Sequence, residues 1–174
     1  MDIEHLQYPI GKFEMPETVS EAQLKEAITI LEIFPEKLKE LMRTYDQNKL
    51  DSPYRPGGWT VRQVVHHIAD SHHHSYNRFK WAITEDNPLI KAYDEKRWAE
   101  TEDCRTSPIA WSLTHIEVVH QKLVQFLRTL SATDWDRTYR HPESKKTFTL
   151  KQSALLYAWH SMHHYSHIAN TTKE

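Results

Sequence analysis

Thirteen of the 174 residues are histidines, and two clusters of them carry the chemistry of this chain. One cluster lies in Trp59-Thr60-Val61-Arg62-Gln63-Val64-Val65-His66-His67-Ile68-Ala69-Asp70, the other in Trp159-His160-Ser161-Met162-His163-His164-Tyr165-Ser166-His167-Ile168. A neutral imidazole binds borderline metals at physiological pH, so two helices that bring such clusters together would make a metal site. His160 and His164 stand four residues apart, which on a helix stacks their side chains one turn apart on one face. Such a pair offers two ligands to one ion. The glutamate of an HExxH protease helix is absent, because Ser161 follows His160. A third ligand has to come from another helix, where His66, His67, His72, His73 and His74 all stand. On the helical wheel His72 is central to the apolar stripe and His67 lies on its flank. Each helix of a bundle faces two neighbours, so periodicity leaves that choice open. The plainer reading is that buried histidines hydrogen-bond carbonyls, that the run His72-His73-His74 is exposed, and that thirteen histidines produce some pairs by chance.

Other candidate chemistry is sparser. Cys104 is the sole cysteine, which excludes an intramolecular disulfide, a CxxC redox pair and a cysteine-rich zinc knuckle. Its acidic neighbours Glu102 and Asp103 raise a thiol pKa, which argues against a nucleophile. Asp70, one helical turn after His67, is a candidate to orient that ring, with a solvated helix residue as the alternative. Arg62 and Arg78 are candidates to bind an anionic thiol or substrate, or are surface charges. Tyr93, Asp94 and Trp98 fall in a long connection, residues 85–106, that is a candidate cover for a pocket.

Four helical segments have to position these groups. The first opens at Ser20 with Gln23 as a capping box, and carries Leu24, Ala27, Ile28, Leu31, Leu38, Leu41 and Met42 at helical spacing. Pro35 inside it predicts a kink or break. A turn-rich stretch, Asp51 to Gly58, follows. The second helix opens at Thr60 with Gln63 and runs past Phe79. The third has Ser107 as N-cap and Pro108 at its first position, with a stripe from Leu113 to Leu130. Residues 131–148 read as a short helical turn and an irregular connection around His141-Pro142. Thr149 and Gln152 then cap the last helix. With no strand-rich stretch, the expected fold is an all-α, up-and-down four-helix bundle in one domain, 1–174.

Composition narrows the function class. Lysine and arginine number 22 against 24 aspartate and glutamate, a formal charge of −2, and the basic residues are scattered; nucleic-acid binding is disfavoured. The start, Met-Asp-Ile-Glu-His, lacks a basic region and an apolar region, so no signal peptide is expected. No apolar run approaches the roughly 18 residues of a membrane span. The expectation is a cytoplasmic protein.

The string Gly57-Gly58-Trp59-Thr60-Val61-Arg62-Gln63-Val64-Val65-His66-His67-Ile68-Ala69-Asp70-Ser71, with Trp159-His160-Ser161-Met162-His163-His164, closely resembles the DinB/YfiT-like proteins. The likeness extends through Tyr8-Pro9-Ile10-Gly11, Tyr93-Asp94-Glu95-Lys96 with Trp98, and Tyr139 with His141-Pro142, over almost the whole chain. It implies a four-helix bundle with one divalent metal held by three histidines, one from the second helix and two from the last. Matched by motif these are His67, immediately before Ile68-Ala69, and His160 and His164. Members are described as metal-dependent hydrolases, a subset as thiol S-transferases using bacillithiol. The implied partners are a small-molecule electrophile or hydrolysable substrate and a low-molecular-weight thiol, and the implied assembly is a homodimer. Zinc or nickel is the expected ion, although histidine ligands suit iron and copper as well. Three histidines without a carboxylate leave open positions, the pattern of a catalytic ion. Such an ion lowers the pKa of water towards about 7 and deprotonates a thiol more readily still. Hydrolase and transferase are therefore not distinguished by the ligand motif. A non-catalytic metal-binding or stress-responsive bundle is the alternative.

Overall fold

A computed structural model describes residues 3–171; of the domain expected over 1–174, residues 1–2 and 172–174 lie outside the described residues. In chain order the elements are α1 (Glu4–Gln7), α2 (Glu21–Met42), α3 (Gln47–Leu50), α4 (Val61–Thr84), α5 (Glu95–Ala99), α6 (Glu102–Thr106), α7 (Ile109–Leu127), α8 (Ala132–Trp135), β1 (Thr138–Arg140), β2 (Thr147–Thr149) and α9 (Leu150–Asn170). Three of the four long helices begin with the capping boxes read from sequence. Ser20, Thr60 and Thr149 each accept from the amide three residues on, while Gln23, Gln63 and Gln152 reach back to the cap amide. Each box satisfies two amides that a helix start otherwise leaves open.

Several local expectations change. Helix α7 begins one residue later than expected: Pro108 is its N-cap and no side chain caps it. The Ser107 carbonyl instead accepts from Arg62 Nη1 at 3.1 Å and lies 3.2 Å from His66 Nε2. Helix α2 runs through Pro35 unbroken. Proline has no N–H for the carbonyl four residues back, and that carbonyl, of Leu31, lies 2.6 Å from His120 Nδ1. The connection after α8 is irregular only over residues 141–146, around His141-Pro142. Thr138, Tyr139 and Arg140 pair antiparallel with Thr149, Phe148 and Thr147, a two-stranded ribbon that buries Tyr139 and Phe148.

The four long helices form the expected four-helix bundle, and the order around it differs from up-and-down. Helix α2 packs on α7 and α9, and α4 packs on α7 and α9, so α2 lies diagonally across from α4 and α7 from α9, while the consecutive pair α4 and α7 are neighbours. Cross-helix contacts give the directions. His66 meets Ser112 and His72 meets His120, so α4 and α7 are parallel. Lys37 lies over Tyr165 and Tyr45 donates to the Ile168 carbonyl, so α2 and α9 are parallel. His67 meets His160 while Arg78 meets Tyr157, which makes α4 and α9 antiparallel. Lys39 meets Glu117 and Glu32 meets Arg128, which makes α2 and α7 antiparallel. Parallel neighbours need a connection that travels back along the bundle. At 1.5 Å per residue that return is roughly 30 Å, and residues 85–108, with α5 and α6, make it.

The core is split. One apolar cluster contains Ala27, Leu31, Phe79, Leu123, Leu127, Leu150 and Tyr157. The other contains Phe34, Leu38, Val61, Val65, Ile68, Ile116 and Ile168. Along α4, α7 and α9 the buried histidines His72, His120, His163, His164 and His167 fall between the two clusters. A polar layer therefore crosses the middle of the bundle. No helix among the described residues is long and apolar enough to cross a membrane.

Candidate metal centre

Antiparallel packing of α4 on α9 brings His67 opposite the His160–His164 pair. His67 Nε2 and His160 Nε2 are 3.3 Å apart. Ring centroids are separated by 5.3 Å for His67–His160, 4.8 Å for His67–His164 and 4.4 Å for His160–His164. One donor nitrogen from each ring lies within 4.8 Å of the other two. Zinc–nitrogen bonds of about 2.0–2.1 Å set ligands about 3.3–3.4 Å apart on a tetrahedral edge. The His67–His160 separation matches that edge. The donor set fits as well, because all three imidazoles are held neutral. Burial pulls His67 down to about 4, with His167 nearby adding to the effect. Burial also lowers His160 and His164 well below the ordinary histidine value, with His67 nearby lowering His160 further and His160 and His67 lowering His164 further. Three lone pairs are thus present at neutral pH without competition from protons. No carboxylate or thiol joins this triad among the described residues.

The triad opens on one side. His67, His160 and His164 line a cavity of about 370 Å³ together with Trp59, Arg78, Tyr93 and Tyr157. Arg78 is buried and donates through Nη1 to Tyr157 Oη at 2.8 Å. Its Nε is buried without a hydrogen-bond partner, and Arg78 forms no ion pair among the described residues. A cavity of similar size, about 390 Å³, lies between α2 and α7, and its wall, which includes Glu32, Glu36, Lys39, Glu117 and His120, brings no group of metal-ligating side chains together among the described residues.

The remaining candidates are placed differently. Asp70 makes no hydrogen bond to His67. Its carboxylate is half-buried beside Cys104 Sγ at 4.0 Å, and burial with Asp103 nearby pushes it up to about 6. Cys104 is buried, and burial more than the acidic neighbours raises its thiol. Arg62 faces away from the cavity and ties Asp51 Oδ1 at 2.8 Å, Gln47 Oε1 at 2.7 Å and the Ser107 carbonyl. Of the long connection, Tyr93 lines the cavity and stacks on His74, Trp98 packs on His74, and Asp94 caps α5 through Arg97 N at 3.0 Å. His73 is exposed and meets His115 on the outside of the bundle.

Three buried histidines that sequence reasoning did not assign surround the triad. His160 Nδ1 lies 3.1 Å from His72 Nε2, and His72 Nδ1 lies 2.8 Å from His120 Nε2. His164 Nδ1 lies 3.3 Å from His167 Nδ1, whose Nε2 lies 3.0 Å from the Gln7 carbonyl. The available signal was indirect: a proline inside a helix leaves one carbonyl free, and a histidine in an apolar stripe needs such an acceptor.

Comparison with known proteins agrees with the geometry. Residues 30–168 match the model of the DinB superfamily. A Bacillus subtilis protein named "Putative metal-dependent hydrolase YfiT" is 44% identical over 169 residues, covering 97% of this chain and 95% of the relative. An Oceanobacillus iheyensis protein, also named as a metal-dependent hydrolase of that provisional kind, is 46% identical over 166 residues, covering 95% of each. The solved structure of B. subtilis YfiT, whose description speaks of an unusual four-helix bundle topology, superposes with a TM-score of 0.95 over 97% of both chains at 44% identity. The chain belongs to the DinB superfamily and is YfiT-like along nearly its whole length.

Proposed function

We propose that this chain is a metal-dependent enzyme that holds one divalent ion, zinc or nickel, on His67, His160 and His164. Its reaction on a small molecule is hydrolysis or the transfer of a low-molecular-weight thiol. The observation that carries this reading is the convergence of three neutral, largely buried imidazoles on the wall of a cavity. Structural zinc has four protein ligands, whereas three ligands beside open space suit chemistry. When bound, such an ion supplies Lewis acidity that lowers the pKa of an incoming water or thiol. The chain's own residues do the rest. Arg78 presents a buried cation without a carboxylate partner, which suits an anionic group on the substrate or thiol. Tyr157 holds Arg78 in place, and Tyr93 narrows the cavity. His141, which burial lowers, is a neutral base on the same wall. The names of the relatives favour hydrolysis, and Arg78 suits an acidic thiol equally well.

The test is turnover of ester, amide and thiol–electrophile panels by purified untagged protein, before and after chelation. Activity should disappear with the ion and return with zinc or nickel. His160→Ala should be inactive yet helical by circular dichroism, because the capping boxes and apolar clusters do not involve it. Full turnover by folded, chelated protein would refute the reading, and unfolding on chelation would make the ion structural.

A further inference from the structure

We propose that two histidine relays, each anchored on a backbone carbonyl, fix the tautomers of His160 and His164 so that both rings turn a bare Nε2 towards the ion. This rests on the reading that these residues hold metal. A carbonyl can only accept, so the polarity of each relay follows from its end. The Leu31 carbonyl, 2.6 Å from His120 Nδ1, requires that this nitrogen carry the proton. A neutral imidazole has one N–H, so His120 Nε2 is a lone pair. It accepts from His72 Nδ1–H at 2.8 Å. His72 Nε2 is then bare in turn and accepts from His160 Nδ1–H at 3.1 Å. What remains on His160 is an unprotonated Nε2, the atom that faces His67.

The second relay is shorter. The Gln7 carbonyl takes the proton of His167 Nε2 at 3.0 Å, leaving His167 Nδ1 bare. That nitrogen accepts from His164 Nδ1–H at 3.3 Å, and His164 keeps a bare Nε2. His72, His120 and His167 are all buried, so the relays run inside the bundle and away from solvent. The rings are clamped flat by aromatic neighbours. Phe34 packs on His72 and His120, and Tyr54 stacks on His167 with centroids 4.1 Å apart. Pro35 completes the logic, since the missing N–H is what leaves the Leu31 carbonyl to His120. His163, His164 and His167 also cluster closely enough to suggest a second ion site. The relay argues otherwise, because His167 Nδ1 already takes the His164 proton, and an ion there would have to displace it.

His72, His120 and His167 are positioning residues, and their effect is read on the ligands they orient. Long-range proton–nitrogen NMR of chelated wild-type protein at neutral pH should find the proton of His72, His120, His160 and His164 on Nδ1 and that of His167 on Nε2. Zinc affinity, measured by chelator competition, should fall roughly 10–100-fold in His120→Phe and in His167→Phe. His120→Gln carries a donor and an acceptor on one planar group and should bind zinc within about threefold of wild type, a rescue that packing alone does not give. An Nε2 proton on His160 or His164 would overturn the proposal. So would wild-type zinc affinity in both phenylalanine variants. Should a phenylalanine variant fail to fold, the tautomers and His120→Gln decide. A wild type that binds no zinc or nickel refutes the metal centre itself, and its tautomers still report on the relays.

Discussion

Arg62 and Arg78 lie on the same helix and differ in what surrounds them. Both are arginines in a histidine-rich helix, and both were candidates for an anionic ligand. Arg62 is buried and has three partners, Gln47 and Asp51 at α3 and the Ser107 carbonyl before α7, so its work is to fasten the start of α4. Arg62→Met should cost about 2–3 kcal/mol of stability in urea unfolding, since three acceptors lose a charged donor, and should leave KM unchanged. Among the described residues Arg78 hydrogen-bonds Tyr157 and otherwise faces the cavity. Arg78→Met should raise KM about tenfold or more for a carboxylate-bearing substrate or thiol and leave an uncharged analogue unaffected. Equal losses for both substrates would remove Arg78 from ligand binding. Sequence could not sort the two, because spacing along α4 does not say which face meets α9. The same gap hid His67: its flank position was ambiguous by periodicity, and only the resemblance singled it out. The surroundings of Asp70 were unreadable for a related reason, since α6 supplies Cys104 as its neighbour from far along the chain.

Helix starts were the most legible elements, because a capping box is a local transaction between residues three apart. Ser20–Gln23, Thr60–Gln63 and Thr149–Gln152 all form as read. Three-residue strands have no comparable local signal, and β1 and β2 exist because Tyr139 and Phe148 bury together against α9 and α4. Pro35 shows how tertiary contacts alter a local rule. Proline in a helix interior costs about 3 kcal/mol relative to alanine, part of it from the unpartnered carbonyl. Here His120 satisfies that carbonyl within a continuous α2. Pro35→Ala should therefore stabilise the protein by clearly less than about 3 kcal/mol in denaturant titration. A full gain of that size would mean the His120 contact contributes nothing.

At the scale of the whole molecule, the four apolar stripes were enough to expect a bundle, but not the diagonal placement of α2 from α4 and of α7 from α9. Connection length was the readable clue: residues 85–108 are long because α4 and α7 run parallel and the chain must return. The histidine layer between the two apolar clusters has a consequence for pH. Burial depresses His67, His120 and His167 from 6.5 to about 4, so between those values the unfolded chain binds more protons than the native one. Stability is full above pH 6.5 and is lost as pH falls towards 4, by up to about 3 kcal/mol for each such group. The urea midpoint of chelated protein should drop steeply between pH 6.5 and 5; a flat midpoint would contradict the buried neutral layer. The central claim is tested most directly by zinc stoichiometry on untagged wild type, His164→Ala and His73→Ala. The account predicts one ion per chain in wild type and His73→Ala and none in His164→Ala. Equal retention in the two variants, or equal loss, would contradict it.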